Sequence, residues 1–254
     1  METAMLLETY LKKLRLPTFV HNYAKFATDA AQRSLSYDRF LLALAEQEVL
    51  QREENQRQRR IRDARFPVHK ELVSFDFSCI SSPSKQRVLD LAQGAYIDQA
   101  EPIILVGNPG LGKTHVATGL SLAACRQGHR VRFYTTAGLV NELILAQDEH
   151  RLSKFLASAL KNQLIVLDEL GFIPFSAAGA QLIFQFCSAL YEQVALIVTT
   201  NLRFADWVQV FGDERLTAAL LDRLAHKAHI LEFVGESYRF RQRMQQEVQQ
   251  THDP

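Results

Sequence analysis

Up to about residue 66 the apolar positions follow a helical spacing. Apolar residues recur three and four positions apart, which places them on one face of a helix. The stripe of the first predicted helix, within residues 5–14, consists of Leu6, Leu7, Tyr10, Leu11 and Leu14. A second helix is predicted after Pro17, with an apolar face of Phe19, Val20, Tyr23, Phe26 and Ala27. We therefore predict a small all-helical N-terminal domain, residues 1–66.

A third predicted helix follows Ser36, a residue type that favours the N-cap position. Its inward-facing residues are predicted to be Phe40, Leu41 and Leu44. The helix continues into an arginine-rich stretch in which Ile61 is almost the only apolar residue between positions 51 and 63. Because a helix without an apolar face is not buried, this stretch is predicted to project into solvent or onto a partner, and to end near Pro67.

From about residue 67 the pattern changes to short apolar runs separated by helical patterns. The runs are Ile103–Val106, Val131–Thr135, Leu164–Leu167, Ala195–Thr199 and Ile230–Val234. Strands that alternate with helices form a parallel sheet that is covered by helices on both faces. The second domain, residues 67–254, is therefore predicted to be α/β with a five-stranded parallel sheet.

Composition restricts the class of protein without identifying it. Apolar residues make up 47% of the 254 positions, and no apolar run approaches the ~20 residues that cross a bilayer. The charged residues near the start do not fit a signal peptide. The three cysteines, Cys79, Cys125 and Cys187, are far apart and indicate neither a disulfide framework nor a zinc site. These features predict a protein of the reducing cytoplasm with no membrane partner.

Charge is unevenly distributed along the chain. Residues 1–70 carry 13 basic and 9 acidic residues, a net charge of +4, which leaves −3 for the remainder. Residues 51–70 alone contain seven basic and three acidic groups. This asymmetry predicts an anionic partner for the N-terminal domain, with a solvated helix face as the alternative.

A phosphate-binding loop is predicted between the first strand and the helix that follows it. The sequence from Gly107 to Thr114 reads GNPGLGKT and fits the pattern G-x-x-x-x-G-K-[ST]. Its glycines let backbone N–H groups close around phosphate oxygens, and the helix N-terminus adds a positive dipole. We predict that Lys113 reaches the β- and γ-phosphates of ATP and that Thr114 binds Mg²⁺. The predicted nucleotide-binding residues are Gly107, Asn108, Pro109, Gly110, Leu111, Gly112, Lys113, Thr114 and His115.

Acidic and amide side chains follow two other predicted strands. Asp168 and Glu169 come directly after the run LIVL, at the strand end where parallel sheets bind ligands. We predict that Asp168 holds Mg²⁺ through water and that Glu169 polarises the water that attacks the phosphate. The next strand leads to Asn201, whose amide can hydrogen-bond both the γ-phosphate and that water. The acidic pair favours nucleotide hydrolysis over group transfer to a small molecule.

A late helix carries a candidate arginine finger. The sequence LTAALLDRLAHKA predicts a helix whose buried stripe is Leu216, Leu220, Leu221 and Leu224. Arg223 lies elsewhere on this helix and is predicted to neutralise the γ-phosphate held by a neighbouring subunit. The alternative is a surface pair with Asp222, and Arg215 is the reserve candidate. His115, next to the loop, is expected to pack or cap rather than to catalyse.

The order of these motifs resembles the AAA+ ATPases, and five segments resemble one branch of them, the IstB family. The segments are LRLPTFVHNY, ARFPVHKELVSFDF, GNPGLGKTHVATGL, LIVLDELGF and TTNLRFADWVQVFGDERLTAALLDRLAHKAHILEFVGESYRFR. The resemblance covers about residues 6–245, and residues 199–241 are its most specific part. It implies an ATP-dependent helper that is encoded beside the transposase of a bacterial insertion sequence.

The resemblance implies the same roles for the site residues, with Asn201 as sensor and Arg223 as finger. It also implies that residues 135–163 form the helical insertion shared by DnaA- and DnaC-like proteins. Only about 20 residues follow the last predicted strand, too few for a separate C-terminal lid domain. A second sensor arginine therefore has no standard place, and Arg239 is a candidate for it.

The partners implied are duplex DNA, a cognate transposase and further copies of the chain that share composite ATP sites. Contacts to DNA phosphates supply affinity that does not depend on base sequence. The predicted DNA-binding residues are Arg57, Arg59, Arg60, Arg62 and Arg65. Three other functions share part of the pattern: a DnaC-type helicase loader is the nearest, followed by a P-loop small-molecule kinase and a nucleotide-dependent scaffold with negligible turnover.

Overall fold

The computed structural model describes residues 2–238, 240 and 241, and the chain divides into two compact units, Met1–Arg59 and Arg60–Pro254. The first unit is helical, as predicted. It contains helices α1 (Glu2–Lys13) and α2 (Pro17–Gln32) and the larger part of α3 (Tyr37–Ala64). In the part of the chain that the structure describes, no helix is long and apolar enough to cross a membrane.

Few side chains of the first unit are buried. Among its described residues the buried ones are Leu11, Thr18, Leu44 and Glu48. The carboxylate of Glu48 is paired, because it accepts from the Thr18 N–H at 3.0 Å and from Arg52 Nε at 2.6 Å. Leu14 is 67% exposed, and Leu41, which was predicted to face inward, is 57% exposed. The prediction for Leu41 is wrong because the other helices of this unit do not cover that face of α3.

The second unit is a layered α/β structure built on one sheet. Its strands are β1 (Ile80–Ser82), β2 (Ile103–Gly107), β3 (Val131–Thr135), β4 (Leu164–Leu170), β5 (Ala195–Thr200) and β6 (His229–Gly235). Its other helices are α4 (Lys85–Leu91), α5 (Ala95–Asp98), α6 (Lys113–Arg126), α7 (Thr136–Asp148), α8 (Leu152–Ala159), α9 (Ala177–Leu190), α10 (Val208–Phe211) and α11 (Glu214–Ala225). Short 3₁₀ turns lie at Leu72–Ser74, Phe77–Cys79 and Phe204–Trp207.

The strands lie in the order β1-β6-β2-β5-β4-β3. Strands β2 to β6 are parallel, as predicted, whereas β1 pairs with β6 in the antiparallel direction. The predicted strand number is wrong, since the sheet has six strands rather than five within the described residues. The sequence of β1 is Ile-Ser-Ser, and one apolar residue in three gives no strand pattern. Pairing with the edge of β6 makes this segment a strand.

Two apolar clusters cover the two faces of the sheet. One lies under α7, α9 and α11 and includes Phe186 and Trp207. The other lies under α4, α5 and α6, and Ile61 and Ala64 from the last turn of α3 also pack there. That turn therefore packs on the core, although its polar sequence predicts projection into solvent. Because β2, β5 and β4 are neighbours, their carboxyl ends meet at one edge of the sheet.

Candidate active site

The loop between β2 and α6 forms the centre of the candidate site. Gly107 has φ +151°, and a Cβ atom there would lie 2.5 Å from the carbonyl oxygen of Phe233. Gly112 has φ +88° and is the N-cap residue of α6. Glycine is required at both positions, since an L side chain rarely adopts these angles and has no room at Gly107. The loop can thus turn sharply and present its backbone to a ligand.

Lys113 is the first residue of α6, and its ammonium group lies against the loop. Its Nζ atom donates to the carbonyl oxygens of Gly107 at 2.5 Å and Asn108 at 2.8 Å. The ammonium group and the N-terminus of α6 therefore place positive charge at the same loop, and both favour an anion there.

Asp168, near the end of β4, is the buried acid of the site. It is 4% exposed, and its Oδ1 atom accepts from Thr114 Oγ1 at 2.9 Å and from Thr199 Oγ1 at 2.6 Å. Burial raises the pKa of Asp168, and the hydrogen bonds from Thr199 and Thr114 and the charge of Lys113 oppose that rise. Carboxylate and hydroxyl oxygens are the ligands that suit Mg²⁺. Thr114 and Asp168 therefore fit the predicted metal ligands.

Glu169 is turned out of the regular strand by a bulge. Leu167 pairs with Val198 and Leu170 pairs with Thr200, so Asp168 and Glu169 together lie opposite Thr199. Glu169 has φ +60°, an uncommon angle for a residue other than glycine. Its side chain is exposed, and its N–H donates to Thr199 Oγ1 at 2.8 Å. Asp168 is consequently buried while its neighbour faces the ligand side of the sheet.

A cavity of about 410 Å³ lies at this edge of the sheet. Of the residues predicted for the site, Pro109–His115, Glu169 and Asn201 line it. Asp168 adjoins the cavity through Thr114, and the carbonyls of Gly107 and Asn108 adjoin it through Lys113. The structure therefore brings together all the residues predicted for ATP and Mg²⁺.

A connector, residues 71–75, lines the cavity with Ser74 and Phe75 and was not predicted from the sequence. The ring of Phe75 lies where a Cβ atom of Gly112 would be, and Leu72 lies 2.7 Å from the Cβ position of Gly119. Gly112 and Gly119 are seven residues apart on α6 and thus share a face. This pair of glycines was the signal in the sequence, because positions without a side chain leave room for another segment to pack there.

His115 lies on the same face of α6, and its side chain contacts the connector. Its Nε2 atom donates to the carbonyl oxygen of Glu71 at 2.9 Å, and its ring packs edge-on against Phe75. Burial lowers the pKa of His115, which favours the neutral ring. His115 thus packs against the connector, and it lines the cavity as well. Its place among the nucleotide-binding residues stays a prediction.

The segment after β6 forms another part of the wall. Tyr238 lines the cavity, and its N–H donates to the carbonyl oxygen of Gly110 at 3.1 Å. Arg239, the candidate second sensor, lies outside the described residues. Residues 242–254, on which the expectation of no lid domain depends, also lie outside them.

Comparison with known proteins identifies the family of this chain. The family model described as IstB-like ATP binding protein matches residues 9–246, which is most of the chain. The chain belongs to the IstB-like family. It is 34% identical to an ATP-binding protein of insertion sequence IS5376 from Geobacillus stearothermophilus, over 95% of this chain and 96% of that protein. It is 35% identical to an ATP-binding protein of insertion sequence IS21 from Pseudomonas aeruginosa, over 93% and 89% of the two chains.

Solved structures confirm the fold of this IstB-like chain. The DnaC helicase loader is 22% identical, with a TM-score of 0.52, over 63% of this chain and 96% of that one. AMPPCP-bound DnaA from Aquifex aeolicus is 18% identical, with a TM-score of 0.54, over 69% and 54%. The AAA+ P-loop fold that the sequence predicted is therefore confirmed, and at these identities the similarity concerns the fold alone.

Arg223 of the IstB-like chain is not among the described residues that line the cavity. It is half-buried on α11, where its Nη1 atom donates to the carbonyl oxygen of Ala219 at 2.8 Å. Its guanidinium group lies 4.9 Å from the centre of the Phe184 ring. Arg215, the reserve candidate, is exposed near the start of the same helix. The structure thus separates the candidate finger from the nucleotide residues of its own chain.

Two of the predicted DNA-binding arginines of the IstB-like chain belong to the first unit. Arg57 forms an ion pair with Glu54, one turn earlier on α3. Arg59 is exposed. A contact of Arg57 with a DNA phosphate would therefore compete with a carboxylate of its own helix.

The other three belong to the second unit and differ in their surroundings. Arg60 is half-buried, and its Nε atom donates to the carbonyl oxygen of Cys125 at 2.9 Å, near the end of α6. Arg62 and Arg65 are exposed. Arg60 has a role in packing, whereas the side chains of Arg62 and Arg65 face solvent.

Proposed function

We propose that this IstB-like protein is an ATP-hydrolysing, DNA-binding helper of transposition, which assembles on duplex DNA in the cytoplasm and recruits or activates a transposase. The observation that carries the proposal is the position of Glu169. The bulge in β4 turns this acid toward a cavity lined by a phosphate-binding loop, beside the buried pair of Asp168 and Thr114. A carboxylate in this place can act as a general base toward water.

Each residue of the site has a role in the proposed hydrolysis. Lys113 contacts the β- and γ-phosphates, and the N–H groups of the loop surround their oxygens. Thr114 and, through water, Asp168 hold Mg²⁺, which when bound neutralises negative charge on the phosphate oxygens. Glu169 accepts a proton from the attacking water, and the amide of Asn201 orients that water against the γ-phosphate.

The position of Arg223 supports an assembly with composite ATP sites. The finger role needs a cation beside the γ-phosphate, and Arg223 lies outside the described lining of its own cavity. A neighbouring copy of the chain would bring Arg223 to that cavity, in the way that arginine fingers act in trans. We therefore propose that the active form is a homo-oligomer.

The relatives support the biological role, and the arginine-rich helix supports the DNA. The relatives of comparable length are named as ATP-binding proteins of insertion sequences, so a transposase of the same element is the partner we propose. The exposed arginines at positions 59, 62 and 65 offer cations for a phosphate backbone. We assign DNA binding or interaction to residues 1–66 and ATP hydrolysis to residues 67–254.

A DnaC-type helicase loader is less well supported. The similarity to DnaC is structural and distant, at 22% identity, and does not carry function. The relatives with 34% and 35% identity come from insertion sequences. The transposition helper is therefore the function we propose.

The test measures ATP hydrolysis and particle size of the full chain with and without long duplex DNA. We expect ATP-dependent oligomers on DNA and a hydrolysis rate that changes when DNA or the transposase of the same element is added. The Lys113→Ala variant controls for contaminating ATPase, because it lacks the cation at the phosphate loop. If DNA and transposase change neither particle size nor rate, the proposed function is wrong.

A further inference from the structure

Thr199 occupies a special place in the sheet, as the single residue of β5 opposite the two acids of β4. It is 1% exposed and lies at the lining of the cavity. That hydroxyl donates to Asp168 Oδ1 at 2.6 Å and accepts from the Glu169 N–H at 2.8 Å. One oxygen atom therefore contacts the carboxylate of Asp168 and the backbone of Glu169, although neither residue is its neighbour in sequence.

We infer that Thr199 is a positioning residue for ATP hydrolysis, which sets the orientation of Glu169 and Asp168 through its hydroxyl. The inference rests on the proposed function, because the orientation of Glu169 matters only if this acid activates water. It adds a residue whose hydroxyl is bonded to Asp168 and to the backbone of Glu169, and that acts through these two residues.

The physical basis is the hydrogen bonding of the bulge. At a bulge the extra residue loses its regular partner in the sheet, and a buried N–H without a partner destabilises the fold. The Thr199 hydroxyl provides that partner for Glu169 and so stabilises its unusual backbone angle of +60°. The same hydroxyl donates to the Oδ1 atom of Asp168, so the Oδ2 atom takes no part in this hydrogen bond. A hydroxyl can do both at once, because it donates to the Asp168 carboxylate and accepts from the Glu169 N–H.

The chain offers well-matched variants for a test. Thr199→Val keeps the shape and branching of the side chain and removes the hydroxyl, whereas Thr199→Ser keeps the hydroxyl and removes the methyl group. Thr217→Val is the control, because Thr217 is also 1% exposed but its hydroxyl donates to the backbone carbonyl of Asp213 on α11. Melting temperatures of the full-length wild type and of these three variants show whether each variant is folded.

Two measurements on these proteins decide the inference. Amide hydrogen exchange of Glu169, followed by NMR, reports directly on its bond to Thr199 and requires no hydrolysis. We expect faster exchange in Thr199→Val than in Thr199→Ser or Thr217→Val. Steady-state kinetics should show kcat reduced by roughly 10- to 100-fold in Thr199→Val, the usual loss for residues that orient a ligand or an acid. The KM for ATP should change little, because the Lys113 loop is intact.

The serine variant separates positioning from packing. Recovery of both exchange protection and kcat in Thr199→Ser supports a role of the hydroxyl. Equal impairment of the serine and valine variants would overturn the inference, as would wild-type exchange at Glu169 in Thr199→Val. Should the wild-type chain fail to hydrolyse ATP under all conditions, the proposed function is wrong, and the exchange measurement still decides whether Thr199 holds Glu169.

Discussion

The carboxyl edge of the sheet and the arginine-bearing helices hold their charged side chains in different ways. At the sheet edge, Asp168 is bonded by residues from two other elements, Thr114 of α6 and Thr199 of β5. On the helices, Arg57 pairs with an acid of its own helix and Arg223 with a carbonyl of its own helix. The polar contacts of Arg57 and Arg223 lie within about one turn of their own helices, and Arg223 also lies over the ring of Phe184 on α9. This difference accords with our proposal that the acids of the edge act within one chain and that Arg57 and Arg223 act on another molecule.

The largest expected effect concerns Arg223, which we propose acts on the nucleotide of a neighbouring chain. Arg223→Ala should bind ATP and lose a factor of about 10³–10⁵ in hydrolysis rate, because the transition-state charge loses its cation. Arg215→Ala serves as the matched control on the same helix. A larger loss in Arg215→Ala than in Arg223→Ala would transfer the finger role to Arg215.

Mixed assemblies sharpen the same prediction. Arg223→Ala subunits mixed with Glu169→Gln subunits should recover activity, since some interfaces then combine an intact Arg223 with an intact Glu169. A finger that acts within its own chain gives no such recovery. The mixtures must be shown to co-assemble on DNA, and absence of recovery would then contradict a role in trans.

A somewhat smaller effect is expected at the sheet edge. Glu169→Gln should keep ATP bound and slow hydrolysis by about 10²–10⁴, the usual contribution of a general base. Glu142→Gln, an exposed acid on α7, provides the control. Single-turnover hydrolysis and binding of a nucleotide analogue check the two halves of the prediction, and a normal rate in Glu169→Gln would remove this residue from the mechanism.

The exposed arginines of α3 should affect DNA binding alone. Replacement of Arg59 and Arg62 by Ala should weaken duplex binding for all sequences and reduce the slope of log affinity against log salt by about 0.9 for each lost phosphate contact. ATP binding should be unchanged. Arg87→Ala, on α4, is the control with the same change in charge. A salt titration that gives the wild-type slope would assign this stretch to a solvated helix face.

The smallest expected effect concerns the packing of the connector against α6. Replacing a helical glycine by alanine usually stabilises by up to about 1 kcal/mol, but a Cβ at Gly119 would lie 2.7 Å from Leu72. Gly119→Ala should therefore destabilise the protein by about 1–3 kcal/mol, the usual effect of overpacking. The melting temperature should fall, and Leu72→Ala in the same chain should reverse part of the loss. A raised melting temperature in Gly119→Ala alone would contradict the packing seen here.

Much of the second unit was predictable because its parallel strands are buried on both faces. Such strands appear as continuous apolar runs, and all five were found. The sixth strand was not, since β1 has a single apolar residue and depends on a partner about 150 positions away. Motif spacing likewise predicted which residues meet at the cavity. It could not predict the role of Thr199, because that role follows from the pairing register of two strands.

In the first unit periodicity predicted the helices but not their burial. Tyr10 lies in α1 as expected and Leu14 directly follows the end of that helix, yet both side chains are more than half exposed. A repeat of apolar residues determines which side of a helix can be covered, and the covering element lies elsewhere in sequence or in another molecule. For the same reason the contact of the connector with α6 could not be read from residues 71–75 alone.

The bulge at Asp168 and Glu169 also determines to which face of the sheet the side chain after it points. Ile165 and Leu167 point to the cluster under α7, α9 and α11, and strict alternation would send Leu170 to the opposite face. Leu170 instead packs in that same cluster, at 1% exposure, because the bulge adds one residue. Deletion of one of these two residues would remove the bulge and leave Leu170 opposite Thr200 on the same face, so the packing of Leu170 does not require the extra residue. The extra residue therefore serves the site and not the core: it places both acids opposite Thr199, with Asp168 buried and Glu169 exposed.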